Sequence, residues 1–290
     1  MTGEPKDLLL RAATGLEGGL VASGSTCGVV SGGCLGIAQF HRRVLRDGGP
    51  AAERRVMDRA AAYARWFSET YGTTLCRARV GCDFHTLSGQ ARYFLGPDRI
   101  ARCVRHIRGA MDWLREEAFE RPLPATAAGT AGCARPFHCA REVLVRVREK
   151  TGVGYPLLER LAVVFDGGVG YSGGACGALV GAILAINLIL GLDIRRMAYL
   201  STFGPFLRGH LNLLVEGPRG EGETFGVGKD ILDSFSARAG GTECSAITGR
   251  RFTGWEDFQG YAAGSSMCGD LVGLAVELAG YESFLWGGIK

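Results

Sequence analysis

The chain contains two copies of one segment, and this repeat determines the fold. Residues 8–37 read LLLRAATGLEGGLVASGSTCGVVSGGCLGI, and residues 157–186 read LLERLAVVFDGGVGYSGGACGALVGAILAI. The two copies align without a gap when Cys27 is placed over Cys176. In both copies, an acidic residue and a glycine pair precede the cysteine, and the cysteine is the first residue of the motif CGxxxG. An internal repeat of this kind predicts two related structural units.

The repeat continues more loosely downstream. YGTTLCRARVG, which contains Cys76, is similar to GGTECSAITG, which contains Cys244. A further cysteine follows each segment, as Cys103 and Cys268. Between the copies lies RPLPATAAGTAG, whose prolines and small residues are typical of a linker. The sequence therefore predicts two modules, residues 1–120 and 133–290.

The predicted fold class is all-α, with the two helical modules packed as a pseudo-symmetric pair. No region alternates polar and apolar residues as a half-buried strand would. The segments with helical spacing or composition are residues 51–70, 99–119, 135–150, 155–166, 172–191, 229–239 and 266–281. The apolar run 175–192 approaches the length of a membrane span, but its counterpart in the first copy ends in polar and basic residues. We therefore expect a buried core helix and no membrane span.

Composition limits the classes of function. The chain has 290 residues, 47% of them hydrophobic and 21% charged, with a net charge of +4. Its basic residues are scattered along helices, so we expect no nucleic-acid partner. The N-terminal residues lack the apolar core of a signal peptide, which favours a cytoplasmic protein. In a reducing compartment, the ten cysteines are expected to act more often as metal ligands or redox groups than as disulfides.

Cys27 and Cys176 each lie between a Gly/Ser-rich loop and a predicted helix. The N-terminus of a helix stabilises a thiolate through its free amides and its dipole. A thiolate is the form that attacks a disulfide and that binds a metal. A contact between small residues that includes cysteine by chance is the structural alternative.

The second copy resembles the C-GCAxxG-C-C family of redox-active proteins over residues 135–282. Cys176-Gly177-Ala178-Leu179-Val180-Gly181 fits the family's CGAxxG motif at every fixed position. Cys139, in the segment FHCAREVL, is similar to the family's leading cysteine, and Cys244 and Cys268 correspond to its third and fourth. The resemblance implies a redox or metal site formed by Cys139, Cys176, Cys244 and Cys268.

The first copy fits the same pattern with one cysteine missing. Cys27, Cys76 and Cys103 correspond to the second, third and fourth cysteines, and no leading cysteine is present. Cys82 is a candidate for the missing ligand, so the predicted first metal set is Cys27, Cys76, Cys82 and Cys103. Cys34 is expected to pack in the core, and Cys133 is not assigned to either site.

Several chemistries remain open for these cysteines. The resemblance implies an iron–sulfur cluster and transfer of electrons to an unidentified partner protein. Four thiolates also suit tetrahedral zinc, and paired cysteines alone could cycle between dithiol and disulfide. A zinc-stabilised or thiol-only structural protein is the non-enzymatic alternative. The sequence leaves open whether the protein is an enzyme and whether it forms oligomers.

Two further features of the sequence suggest other functions: a GxGxxG motif and two histidines near cysteines. Residues 168–173 satisfy GxGxxG, with Asp193 twenty positions beyond, but no second strand separates the following helix from that aspartate. A dinucleotide fold is therefore disfavoured. His85 and His138 lie near cysteines and could bind a metal, although positions facing solvent are the favoured interpretation.

Overall fold

Helices form both copies of the repeat. The computed structural model describes residues 6–123, 136–194, 203–214 and 224–287, and these contain no β-strand, which confirms the all-α prediction. The helices of the first copy are α1 (Lys6–Ala13), α2 (Gly28–Phe40), α3 (Arg42–Asp47), α4 (Gly49–Tyr71), α5 (Cys76–Val80), α6 (Leu87–Phe94) and α7 (Pro97–Trp113). Those of the second copy are α8 (Cys139–Thr151), α9 (Pro156–Leu161), α10 (Gly177–Leu190), α11 (Phe203–Asn212), α12 (Thr224–Ala239), α13 (Cys244–Thr248), α14 (Trp255–Ala262) and α15 (Ser266–Gly287).

The segment before each CGxxxG helix forms a left-handed turn. A short 3₁₀ turn, Thr14–Leu16 or Ala162–Phe165, precedes it in each copy. Five consecutive residues then have positive φ, at positions 18–22 and again at 167–171. The glycine pair enters this conformation without steric cost, whereas each non-glycine residue there is strained. The helix predicted from residue 172 therefore begins only at Gly177, and the GxGxxG segment belongs to this turn and not to a nucleotide-binding loop.

The core of the second copy surrounds α10. Its residues are buried on nearly every side, where α1, α8, α12 and α15 pack against it. Asn187, its one clearly polar residue, donates from Nδ2 to the Ile183 carbonyl at 2.7 Å. The prediction of a buried core helix is confirmed. In the described part of the chain, no single helix is long and apolar enough to span a membrane, although α14 and α15, bent by 80°, together meet that criterion.

The two copies pack reciprocally. The first segment of the first copy, α1 with its 3₁₀ turn, lies against α10 of the second copy. The corresponding segment of the second copy, α9 with its 3₁₀ turn, lies against α2, α3 and α4 of the first. Each copy therefore completes the core of the other, which confirms the predicted pseudo-symmetric pair.

Helix α8 has no counterpart in the described part of the first copy. In the second copy it packs directly on Gly181 of α10, where a Cβ would lie 2.8 Å from the Ala140 carbonyl oxygen. The equivalent glycine of α2 is Gly32, which is exposed and would have no neighbouring atom within 4 Å of a Cβ. The same face of the CGxxxG helix is therefore covered in one copy and open in the other.

Candidate thiol redox sites

In the first copy, a short backbone pairing brings two cysteines together. Thr26 and Leu75 form an isolated antiparallel bridge. On its two sides the Cys27 and Cys76 N–H groups each donate to the opposite segment at 2.8 Å. In an antiparallel pairing, the two residues that directly follow the bridged residues are diagonal neighbours and lie on the same face of the pair. The fold therefore places Cys27 beside Cys76, although 49 positions separate them in sequence.

The second copy repeats this arrangement. Ala175 and Glu243 form the bridge, and the N–H groups of Cys176 and Cys244 donate across it at 2.8 and 2.6 Å. Cys76 and Cys244 each begin a short helix that ends at a glycine in the left-handed conformation. The two similar segments that contain Cys76 and Cys244 therefore form the same short helix in both copies.

The two bridges lie back to back. The Ala175 N–H donates to Thr26 Oγ1 at 2.8 Å, so the residues that precede Cys27 and Cys176 touch each other. Arg77 and Glu243, which neighbour Cys76 and Cys244, form an ion pair between the copies. The two candidate sites therefore share a wall near the pseudo-two-fold axis.

The four predicted cysteines of the second copy line one small cavity. Cys139 and Cys176 lie at the starts of α8 and α10, Cys244 begins α13, and Cys268 lies on α15. The cavity between them has a volume of about 10 Å³, close to that of one water-sized sphere. Its other lining residues are mainly apolar: Gly177, Ala178, Ile247, Thr248, Phe252, Phe258 and Leu271.

Burial dominates the electrostatics of this cavity. It raises the pKa of Cys176 to about 11, and the Leu179 and Ala178 amides at the start of α10 offset it only in part. Burial, followed by repulsion from Asp166 and from the other three cysteines, raises the pKa of Cys139 well above its usual range. The pKa values of Cys244 and Cys268 are raised chiefly by burial as well. Without a bound cation these groups are neutral thiols, so the helix N-terminus alone does not make Cys176 a thiolate.

The four cysteine side chains do not form a metal-ligand set in this structure. Within residues 6–123, 136–194, 203–214 and 224–287, no group of three or more His, Cys, Asp or Glu side chains is close enough to hold a metal ion. A metal in this cavity would need the sulfur atoms to approach one another. The metal-ligand roles of Cys139, Cys176, Cys244 and Cys268 stay predictions.

A buried polar network supports the start of α8. His138 Nδ1 and the Asp166 carboxylate are 2.7 Å apart, and Asp166 Oδ1 also accepts from the Cys139 N–H at 3.2 Å. His138 Nε2 lies 3.1 Å from Glu53 of α4, which also accepts from Arg141 at 2.5 Å. The expectation that His138 faces solvent is wrong, because it is fully buried with both ring nitrogens engaged.

Charge within this network favours the ionised forms of Glu53 and His138, whereas burial raises the pKa of Asp166. Burial acts to raise the pKa of Glu53, but the His138 hydrogen bond and the Arg141 charge outweigh it and lower that pKa to about 2. Burial acts to lower the pKa of His138, but the Asp166 carboxylate outweighs it and raises that pKa. The network therefore links α4 of the first copy to the helix that carries Cys139.

The first copy holds a different set of groups. Cys27 at the start of α2 and Cys76 at the start of α5 are buried, and Cys103 of α7 is partly exposed. The Tyr93 hydroxyl donates to Cys103 Sγ at 3.6 Å. Glu17, the counterpart of Asp166, is close enough to raise the pKa of Cys76 by repulsion.

The thiols of the first copy differ in acidity. The pKa of Cys27 is lowered, chiefly because the Cys76 thiol can donate a hydrogen bond to its thiolate, and the Val29 and Val30 amides act in the same direction. The same interaction raises the pKa of Cys76, and burial raises it further. Burial also raises the pKa of Glu17 to about 7. The pair therefore consists of one acidic thiol, one thiol that retains its proton, and a nearby carboxyl that titrates near neutral pH.

The remaining cysteines lie apart from these sets. Cys82 Sγ donates to the Val80 carbonyl at 3.4 Å, and its side chain lines a separate depression with His85 and Phe84. Its predicted role as a ligand of the first site stays a prediction. Cys34 is fully buried, as expected for a core residue, and burial raises its pKa to about 12. Cys133 lies outside the described residues, and the nine described cysteines are free thiols.

The sequence interpretation missed the polar groups that accompany the cysteines. The acid before each glycine pair was visible in the repeat, as Glu17 and Asp166, but no role was assigned to it. That repeated position was the available signal. Glu53 and Arg141 gave no signal, because they meet only through packing between the copies.

Comparison with known proteins gives one result. The family model described as "Putative redox-active protein (C_GCAxxG_C_C)" matches residues 1–117 and, separately, residues 137–281. The comparisons with curated proteins and with solved structures gave no match. The two matched segments correspond to the two copies of the repeat. The chain therefore belongs to the C_GCAxxG_C_C family of redox-active proteins, as a tandem duplication of the family's module.

Proposed function

We propose that the second module binds a thiolate-ligated metal centre, and that this centre is an iron–sulfur cluster used in electron transfer. The observation that carries the proposal is the convergence of Cys139, Cys176, Cys244 and Cys268 on one cavity. Sulfur donors in apolar surroundings are the environment of iron–sulfur clusters and of structural zinc. When bound, a cluster would supply a one-electron carrier.

The chemistry of the four side chains fits such a centre, although their present spacing does not. All four are buried free thiols with raised pKa values, so they hold their protons until a cation replaces them. Metal binding to such a set releases protons, and its free energy must draw the sulfur atoms together. The cavity of about 10 Å³ has room for a single ion in its present form, and a cluster requires further opening.

Groups around the cysteines would orient the site. Asp166 accepts from the Cys139 N–H and from His138, which fixes the start of α8. Hydrogen bonds of this kind behind the ligands position them and tune the metal. The first turn of α10 directs the Ala178 and Leu179 amides at Cys176 and would stabilise its thiolate once formed.

The test is a count of metal and acid-labile sulfide in the full chain purified without oxygen. We expect iron and sulfide in equal amounts in the parent protein, and loss of both in Cys244→Ser. Cys34→Ala is the matched control, because it removes a buried thiol that lies outside the cavity. Zinc without sulfide would favour the structural alternative, and absence of any metal from the parent protein would refute the proposal.

A metal centre of this kind also implies a partner protein and a cellular location. A redox centre of this type needs a partner protein that accepts or donates electrons. We propose a cytoplasmic location, because a reducing compartment keeps the free thiols available.

A further inference from the structure

The geometry of Cys27 and Cys76 suits a reversible disulfide. Diagonal neighbours across an antiparallel pair have Cα atoms about 7–8 Å apart. A disulfide requires about 4.4–6.8 Å, so a shift of roughly 1 Å would allow the bond. The two segments are joined by a single bridge, Thr26–Leu75, and not by a longer ladder, so they can make that adjustment.

The first site is also open on the side that α8 covers in the second module. A Cβ at Gly177 would lie 3.0 Å from the Cys139 Cβ, whereas the three atoms nearest to a Cβ at the equivalent Gly28 belong to Leu16 and Glu17. One turn further along α2, Gly32 is exposed. A disulfide-bearing molecule can therefore reach α2 within about one turn of Cys27, whereas α8 covers the equivalent part of α10. Cys27 itself is buried, so its reaction requires a local opening of this face.

A carboxyl group stands beside the pair. In the second module the equivalent acid, Asp166, is engaged by His138 and the Cys139 N–H. In the described part of the chain, the Glu17 side chain has no ion-pair or hydrogen-bond partner. Its backbone lies beside the start of α2, where a Cβ at Gly28 would be 3.5 Å from the Glu17 Cα, and its side chain is available to take up a proton.

We propose that the first module is a thiol–disulfide exchange site, in which Cys27 attacks a disulfide, Cys76 resolves the product, and Glu17 takes up the Cys76 proton. This role replaces the metal-binding role that the sequence suggested for these cysteines. It does not depend on the metal centre proposed for the second module.

The exchange proceeds in two balanced steps. The Cys27 thiolate attacks a disulfide R–S–S–R, forms the mixed disulfide Cys27–S–S–R and releases one thiolate R–S⁻. Cys76 then transfers its proton to the Glu17 carboxylate, attacks Cys27 Sγ and releases the second R–S⁻. The products are a Cys27–Cys76 disulfide and two reduced thiols, so two electrons pass from the protein to the disulfide.

The positions of the two cysteines suit these different roles. Cys27 lies at the start of α2, where the free N–H groups of the first helical turn would stabilise its thiolate. Cys76 lies across the Thr26–Leu75 bridge, next to the sulfur atom that it attacks in the second step. The other nearby thiol, Cys103, accepts a hydrogen bond from the Tyr93 hydroxyl at 3.6 Å.

The test uses the full chain, fully reduced, with oxidised glutathione as a small disulfide and insulin as a protein disulfide. Peptide mapping by mass spectrometry should find a Cys27–Cys76 disulfide in the parent protein. In Cys76→Ser and in Cys76→Ala, the reaction should stop at the mixed disulfide between Cys27 and glutathione. Cys27→Ser should form neither product, and Cys34→Ala should behave as the parent protein. If the protein reduces insulin as well as oxidised glutathione, its substrates are protein disulfides. If it reduces oxidised glutathione alone, its substrates are small disulfides.

Glu17→Gln separates a proton acceptor from a merely structural residue. It should leave the rate of mixed-disulfide formation within about twofold and slow closure of the Cys27–Cys76 bond by about tenfold or more. Equal slowing of both steps would overturn the role of Glu17.

A disulfide between Cys27 and Cys103, or no reaction at Cys27, would overturn the exchange site itself. Metal and sulfide counted on the same samples test the second module separately. A chain without metal that still forms the Cys27–Cys76 disulfide would refute only the metal centre.

Discussion

Gly181 and Gly32 occupy equivalent positions in the repeat, so the same substitution at both isolates the contribution of α8. In Gly181→Ala the new Cβ would lie 2.8 Å from the Ala140 carbonyl oxygen and 3.0 Å from Val143 Cβ. In Gly32→Ala it would meet no atom within 4 Å. Both glycines lie inside helices and neither has a positive φ.

The expected magnitude follows from two terms. Replacing glycine by alanine inside a helix stabilises it by about 1 kcal/mol, and this gain is common to both variants. Forcing a methyl group into a closely packed contact costs about 1–3 kcal/mol, and this cost applies only to Gly181→Ala. The free energies of unfolding of the two variants should therefore differ by about 2 kcal/mol, with Gly32→Ala more stable than the parent protein.

Urea denaturation of both full-length variants, followed by circular dichroism, measures this difference. Equal slopes with urea would show that the two transitions expose similar surface and can be compared. A difference below about 0.5 kcal/mol, or a more stable Gly181→Ala, would refute the close packing of α8 on α10.

Two other predictions concern charge. The pKa of Glu53 falls from 4.5 to about 2, which corresponds to roughly 3 kcal/mol of stability at pH 7, present above about pH 4.5 and lost as the pH falls through about 2. Glu53→Gln should therefore lower the free energy of unfolding by about that amount at neutral pH, and by less in acid. The control Glu256→Gln, at an exposed ion pair, should change it by less than about 1 kcal/mol. Equal effects of the two substitutions in thermal unfolding would contradict the role of the network. Iodoacetamide at neutral pH should modify Cys27 before Cys176, because the pKa of Cys27 is lowered and that of Cys176 is raised. The reverse order in mass spectrometry would contradict this difference in thiol acidity between the two modules.

The sequence was sufficient to predict the helical class and the duplication. Repeated Gly, Cys and acidic positions carry that information locally, and they placed Cys27 and Cys176 at helix starts. The left-handed turn before each cysteine was not predicted, because residues such as Leu20 and Val169 avoid positive φ on their own. Packing of the two copies against each other holds them there.

The candidate sites could be predicted only in part. The family resemblance placed Cys139 with Cys176, Cys244 and Cys268, and the structure brings them to one cavity. It could not predict the different acidities of Cys27 and Cys176, since both begin similar helices. The pKa of Cys27 is lowered chiefly by a hydrogen bond from the Cys76 thiol. At Cys176, burial raises the pKa by more than the helix amides lower it.

The reciprocal packing has a consequence for how such a chain can diverge. A lone copy of the repeat would leave its CGxxxG helix without the segment that covers it, so the present arrangement is that of a two-fold dimer whose subunits have been fused. In a dimer of separate identical subunits, every substitution is made twice, once on each side of the axis. Fusion removes that constraint. One half can keep a leading helix packed on its CGxxxG helix while the other leaves Gly32 on that face exposed, with the two centres back to back across Thr26 and Ala175.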